Sequence, residues 1–205
     1  AGGTLTALEN LLNGKYKTAI HFPGAKHHAQ FDRSSGFCVF NDFALAADIA
    51  SKDFGKKVAI LDIDGHHGDG TENLTGENIN VMTYSIHHYG IFPGTGAADK
   101  LELAVYNDAL QFGDGDQKLD TGVNRFIKLS KDFQANLIFI AVGADGHKED
   151  PLTGLEYSVD GIADACKKVR LSFTRECQER GVKEGWEFGA CTNAIYQPIL
   201  GGTAK

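Results

Sequence analysis

Apolar and polar positions divide the chain into short alternating blocks. Leu5, Leu8, Leu11 and Leu12 recur at helical spacing and predict a helix over 4–13, stopped by Gly14. Residues 17–22 read as a short strand running into Pro23-Gly24. Asn41 is placed to cap a second helix carrying Phe43, Ala46, Ala47, Ile49 and Ala50, with Gly55 beyond its end. Residues 57–63 form an apolar run of strand length, and a helical turn over 71–74 is closed by Gly76. The next strand is expected at 80–86 and a minor one at 103–106. A helix from about 117 to 133 carries Val123, Phe126, Ile127 and Phe133. LIFIAV, 137–142, is the most apolar strand of the chain. Ser158 then caps a long helix to residue 180, with Val159, Ile162, Ala163, Cys166, Val169 and Phe173 facing inward.

Strands that alternate with helices, and that are apolar through their length, predict an α/β fold: a mostly parallel sheet covered by helices on both faces. In such sheets ligands bind beyond the carboxyl ends of the strands. The polar clusters fall there: His27-His28 after the first strand, Asp62 to Asp69 after the second, Ser85 to Gly96 after the third, and Gly143 to Asp150 after the fourth. The segment 182–197 lacks periodicity, holds the sole Trp and reads as an irregular insertion within a single domain spanning 1–205.

Composition narrows the class of function. A net charge of −7 argues against a nucleic-acid or anionic-membrane surface. Cys38, Cys166, Cys177 and Cys191 are scattered without a CxxC pair, as expected of reduced thiols in a cytoplasmic protein. No apolar run reaches membrane-spanning length.

The densest chemistry lies in VAILDIDGHHGDG, where Asp62, Asp64, His66, His67 and Asp69 fall within eight positions. So many charged and ligating groups leaving a buried strand are costly unless paired or metal-bound. On an extended run Asp62, Asp64 and His66 share one face, and carboxylate beside imidazole suits a divalent metal such as zinc or iron. A catalytic zinc takes three protein ligands, and Asp145, directly after LIFIAV, is the best candidate for the third. Glu149 and Asp150 lie further along that loop and are expected to be solvated. The adjacent imidazoles of His27 and His28 suit a general base and acid, with Asp62 and Asp69 available to hold one ring each. Gly36-Phe37 and Phe92-Pro93-Gly94 place aromatics beside pliant backbone, and two facing rings would form a slot for an extended aliphatic chain. Ser85 and Ile86 offer oxygens to a monovalent cation, although a serine there also serves as a cap.

Four blocks carry a resemblance: HHAQFDRSSGFCVFND, LDIDGHHGDGT, YSIHHYGIFPGTG and VGADGHKEDPLTGL, in that order. Together they resemble the motifs of the zinc-dependent histone deacetylase superfamily, which includes acetylpolyamine deacetylases and acetoin utilisation proteins. The resemblance implies a three-layer α/β/α arginase-deacetylase fold, here incomplete at both ends. It implies hydrolysis of an N-acetyl amide on acetyl-lysine or an acetylated polyamine. By position it makes Asp64, His66 and Asp145 zinc ligands, and His27 and His28 a dyad backed by Asp62 and Asp69. His28 would be the base and His27 the assisting electrostatic or acid group. Gly36, Phe37 and Phe92 would line the substrate channel. Asp62, Asp64, His66, Ser85 and Ile86 would form a potassium site, several of them through backbone oxygens.

The family's Tyr after a Gly-Gly turn has no match, since PILGG is followed by Thr203. Tyr196 is a candidate replacement. A metal-binding module with weak or no turnover is therefore the alternative reading. A binuclear manganese hydrolase of the arginase type is less well supported, because Asp145 is followed by Gly146 and His147 rather than by a second Asp two positions on.

Overall fold

The computed structural model describes residues 1–179. The segment 182–197, with Tyr196, and Thr203 lie outside the described residues. Within them a parallel sheet of order β3-β2-β1-β4 is built from β1 (Val58–Asp62), β2 (Val81–His88), β3 (Val105–Leu110) and β4 (Leu137–Ala141). The most protected strand is β1, buried at every position and paired on both sides. Its Val58 sits opposite Val81 of β2 and Leu137 of β4, and its Asp62 opposite Ser85 and Ala141.

Side chains of β1 alternate between two apolar layers. Val58 and Ile60, with Val81 and Phe139, meet Leu8 of α1 (Gly2–Leu12) and Ala46, Ala47 and Ala50 of α2 (Asp42–Lys52). Three alanines on one stripe keep α2 close to the sheet. Ala59, Leu61 and Ile63 face the other way, toward Leu119, Val123 and Phe126 of α4 (Asp116–Asp132) and Ala165 and Val169 of α5 (Val159–Glu179). Helix α3 (Asp69–Thr75) links β1 to β2 and packs on α2 and β2. Helices thus cover the sheet on both faces, the three-layer α/β/α arrangement expected from the sequence.

Four local expectations are corrected. Residues 17–22 form no strand. Both neighbours of β1 are supplied by other strands, and this segment runs irregularly with Ile20 and Phe22 exposed. The minor strand at 103–106 is β3 at Val105–Leu110, entered by a 3-10 turn at Leu101–Leu103 and a left-handed Ala104. Its Asn107 and Asp108 break the apolar pattern, but both are paired, with Glu72 and with Arg125 and Tyr84. Val159, in the first turn of α5, is exposed, and Ala165 and Val169 take the buried positions. LIFIAV is only half buried, since β4 lies at an edge of the described sheet.

Phe126 has no solvent exposure and meets Tyr84 edge-on at 5.9 Å between centroids. Phe126→Ala is expected to cost about 3–5 kcal/mol in urea unfolding, and a loss below about 1 kcal/mol would contradict its place in the core.

Candidate active site

From β1 the chain moves outward to β2 and β3, then returns to β4 on the opposite side of β1. The crevice beyond such a reversal is where open parallel sheets bind ligands. The two strands flanking it, β1 and β4, end in the loops that carry Asp64, His66 and Asp145. One ligand atom from each of these three residues lies within 4.8 Å of the others. His66 Nδ1 is 2.6 Å from Asp145 Oδ2 and 3.3 Å from Asp64 Oδ1.

Strand pleating is not what gathers these groups, because β1 ends at Asp62. Beyond it each carboxylate accepts the amide two residues on: Asp62 Oδ1 from Asp64 at 3.1 Å, and Asp64 Oδ1 from His66 at 2.9 Å. Such Asx turns curl the loop inward. Asp145 Oδ1 accepts the Gly65 amide at 2.9 Å and so ties the two loops together. Gly143 leaves room for this, since a Cβ there would stand 2.0 Å from Asp64 Oδ2.

His27 and His28 lie side by side, with ring centroids 3.9 Å apart, and both are buried. His27 Nδ1 donates to Asp62 Oδ2 at 2.6 Å, and His28 Nδ1 donates to Asp69 Oδ1 at 2.7 Å. Each Nε2 is thereby left as the acceptor while the ring is neutral. The Nε2 of His27 is 3.8 Å from Asp64 Oδ1, so the pair borders the trio.

Burial alone would lower the pKa of His27, but Asp62, with Asp64 and Asp145, raises it to about 9. The hydrogen bonds of its ring to Asp145 and Asp64 raise the pKa of His66 to about 9 as well. Burial opposes ionisation of Asp64, yet the His66 hydrogen bond and the His27 charge hold it below the usual range. A cation bound through His66 must therefore displace a proton.

Just behind the site, His67 Nε2 donates to Glu72 Oε2 at 3.0 Å, and Lys100 and Asn107 donate to the same carboxylate. Burial would raise the Glu72 pKa, but these donors pull it from 4.5 to about 2. A depressed carboxylate contributes stability that is complete above the unfolded pKa and is lost as pH falls through the folded one. Urea unfolding should thus lose on the order of a few kcal/mol between pH 4.5 and 2 through this group. Glu72→Gln should show a shallower decline over that window. Equal slopes in the two proteins would refute the linkage.

Phe92 reaches the site, its ring edge-on to His28 at 5.0 Å and to His66 at 6.3 Å. Gly36 lies against His28, where a Cβ would come within 2.3 Å of the imidazole, and its φ of +51° suits glycine. Phe37 is different: it is fully solvent-exposed, and no ring contact joins it to Phe92 among the described residues. The facing pair of rings expected from the sequence is not formed here. Ser85 stands opposite Asp62 in the ladder, and β2 continues past Ile86 to His88. Ser85 Oγ and His87 Nδ1 are 3.0 Å apart. Glu149 is exposed, whereas Asp150 is half-buried and accepts the Leu152 amide.

Residues 1–184 match the histone deacetylase domain. The chain belongs to the histone deacetylase family. It is 35% identical over 169 residues to the acetoin utilization protein AcuC of Staphylococcus aureus, covering 78% of this chain and 43% of that protein. Histone deacetylase 8 of Xenopus laevis is 35% identical over 176 residues, covering 82% of this chain and 54% of the relative. Among solved structures, the HDA15 HD domain superposes with a TM-score of 0.70 at 25% identity, covering 81% of this chain and 52% of that one. The chain thus spans about half the length of these relatives.

Several residues around this deacetylase-family site escaped the sequence reading. Gln30 donates to Asp69 Oδ2 at 2.8 Å and is itself held by Asn73. Thr153 donates to the Asp145 carbonyl at 2.7 Å, and Gly68 leaves room for Asp62, which a Cβ would approach to 2.4 Å. Asp42 accepts two backbone amides next to the histidine pair. The contacts of Gln30 and Asp42 join residues 16 to 43 positions apart, and no local pattern announces them. Only the Asn41-Asp42 dipeptide at a helix start carried a visible signal.

Proposed function

We propose that this chain is a zinc-dependent amide hydrolase that removes acetyl groups from acetyl-lysine or acetylated polyamines. The observation that carries the reading is the convergence of Asp64, His66 and Asp145 beside two histidines that are each oriented by a carboxylate. Two carboxylates and one imidazole fit the three-ligand complement of a catalytic zinc. When bound, zinc supplies Lewis acidity, polarising the acetyl carbonyl and making water acidic near neutral pH.

The protein's own groups account for the proton movements. His28, its Nδ1–H engaged by Asp69, receives the proton of the attacking water at Nε2. His27, engaged by Asp62 and carrying a raised pKa, adds positive charge near the developing oxyanion and a proton for the departing amine. Phe92 and Gly36, both against His28, would line the approach of an alkyl chain. Phe37 would flank its mouth from the rim. Asp62, at the end of β1, is paired in the ladder with Ser85 of β2, and Asp62, Asp64, His66, Ser85 and Ile86 would hold potassium, several of them through backbone oxygens. No described helix is long and apolar enough to cross a membrane, and the buried free thiol of Cys38 accords with a cytoplasmic setting.

Zinc content and hydrolysis of a fluorogenic acetyl-lysine peptide and of an acetylated polyamine test the reading together. About one zinc per chain with turnover of either substrate supports it, and protein that takes up no zinc refutes it. A second metal per chain would favour the binuclear manganese alternative. Thr203, standing where the resemblance implies Tyr, favours a second reading: a metal-binding module without turnover. That reading expects a hydroxamate chelator to bind while no substrate is hydrolysed.

A further inference from the structure

The histidine pair sits on an irregular loop, not on a strand, and something must fix it. We propose that Asn41 and Asp42, at the start of α2, are positioning residues that clamp the backbone on both sides of His27 and His28. The inference rests on the hydrolase reading of that pair.

The contacts divide by polarity. Asp42, fully buried, accepts the Ala25 amide at 3.0 Å and the Lys26 amide at 2.7 Å. Thr4 of α1 donates to the same carboxylate and is itself 2.8 Å from His21 Nδ1. A buried carboxylate is tolerated only when donors surround it, and here two of the three belong to the loop that enters the histidine pair. Ala25 has a φ of +56°, a left-handed conformation that an alanine adopts only when its surroundings impose it. Asn41 grips the other side, its Nδ2 lying 3.3 Å from the carbonyls of both His27 and Ala29. Its Oδ1 meanwhile accepts the Ala44 amide and caps α2. The Thr71 amide of α3 also donates to the His27 carbonyl, at 2.9 Å. The loop is therefore held from the rigid face of α2, which packs on the central strand that also ends in Asp62.

Two substitutions separate this role from simple stability. Asn41→Asp keeps the acceptor for Ala44 but removes both donations to the loop. Asp42→Asn keeps the size but, in either orientation of the amide, turns its NH2 against one of the two backbone N–H donors. Each is expected to lower kcat by about tenfold or more, because small misplacements of reacting groups cost orders of magnitude. KM should stay within about twofold, and zinc content should be unchanged. Amide hydrogen exchange over 25–29 should accelerate in both. Ala50→Gly, in the interior of α2 and away from the loop, serves as the stability control and should leave kcat within about twofold.

Retention of kcat within about twofold in both clamp variants, or a loss matched by Ala50→Gly, would overturn the proposal. Should Asp42→Asn fail to fold, Asn41→Asp decides. If the parent protein hydrolyses nothing, the hydrolase reading fails separately. Unchanged exchange over 25–29 in the clamp variants would then overturn the clamp, and faster exchange would support it.

Discussion

Replacing Asp145 with asparagine is expected to reduce bound zinc from about one ion per chain to a trace after gel filtration, an affinity loss of about 100-fold or more. Asparagine keeps an oxygen for the Gly65 amide, so the tie between the two loops survives. What disappears is charge. With His66 neutral, Asp64 and Asp145 match a divalent cation, and one remaining carboxylate does not. The same substitution removes the acceptor that Asp145 presents to His66 Nδ1 at 2.6 Å, so the imidazole also loses its strongest orienting contact. Thermal unfolding offers a second measurement. A ligand held only by the folded state stabilises by about 4 kcal/mol at 1,000 times its dissociation constant, so chelation should lower the Tm of the parent protein and leave the variant unmoved. A variant that still copurifies with zinc at full stoichiometry would remove Asp145 from the ligand set.

His28→Ala is expected to lower kcat for an acetyl-lysine peptide by about 100- to 10,000-fold while zinc content holds, the usual range for loss of a general base. The imidazole is buried, its Nδ1–H is committed to Asp69, and its flank meets Phe92. Removing it would take away the proposed proton acceptor without touching the trio. Asp69→Asn should give part of the same loss, because the amide can present its N–H to Nδ1 and favour the wrong tautomer. Gln30, which donates to the other Asp69 oxygen, would keep the loop in place. A kcat within about tenfold of the parent for His28→Ala would assign the proton transfer elsewhere.

Much of the fold is written locally. β1 announces itself by five consecutive apolar or strand-ending positions, α2 by an Asn cap and an alanine stripe, and α4 by Val123 and Phe126 at helical spacing. Adjacent histidines and the dense acidic loop drew attention to the site because such groups rarely cluster without a partner. What escaped was whatever depends on tertiary neighbours. β3 was obscured by Asn107 and Asp108, whose partners Glu72, Arg125 and Tyr84 come from other elements. Residues 17–22 have strand composition but find no strand beside them among the described residues. The exposure of Phe37 could not be foreseen from a pattern that treats every aromatic as a burial signal. Asx turns, rather than strand alternation, direct Asp64 and His66, and they become visible only once the end of β1 is located.

The parallel pairing of β1 with β4 has a kinetic meaning. His66 and Asp145 are 79 residues apart in the chain, and their meeting waits on closing that long loop through β2, β3 and α4. Contacts of such separation form late, after most of the entropy of loop closure has been met. On the proposed ligand set, zinc would not nucleate this protein in the way it nucleates a small finger. It would find its complete ligand set only on a nearly finished sheet, slowing the escape from the native state rather than hastening arrival.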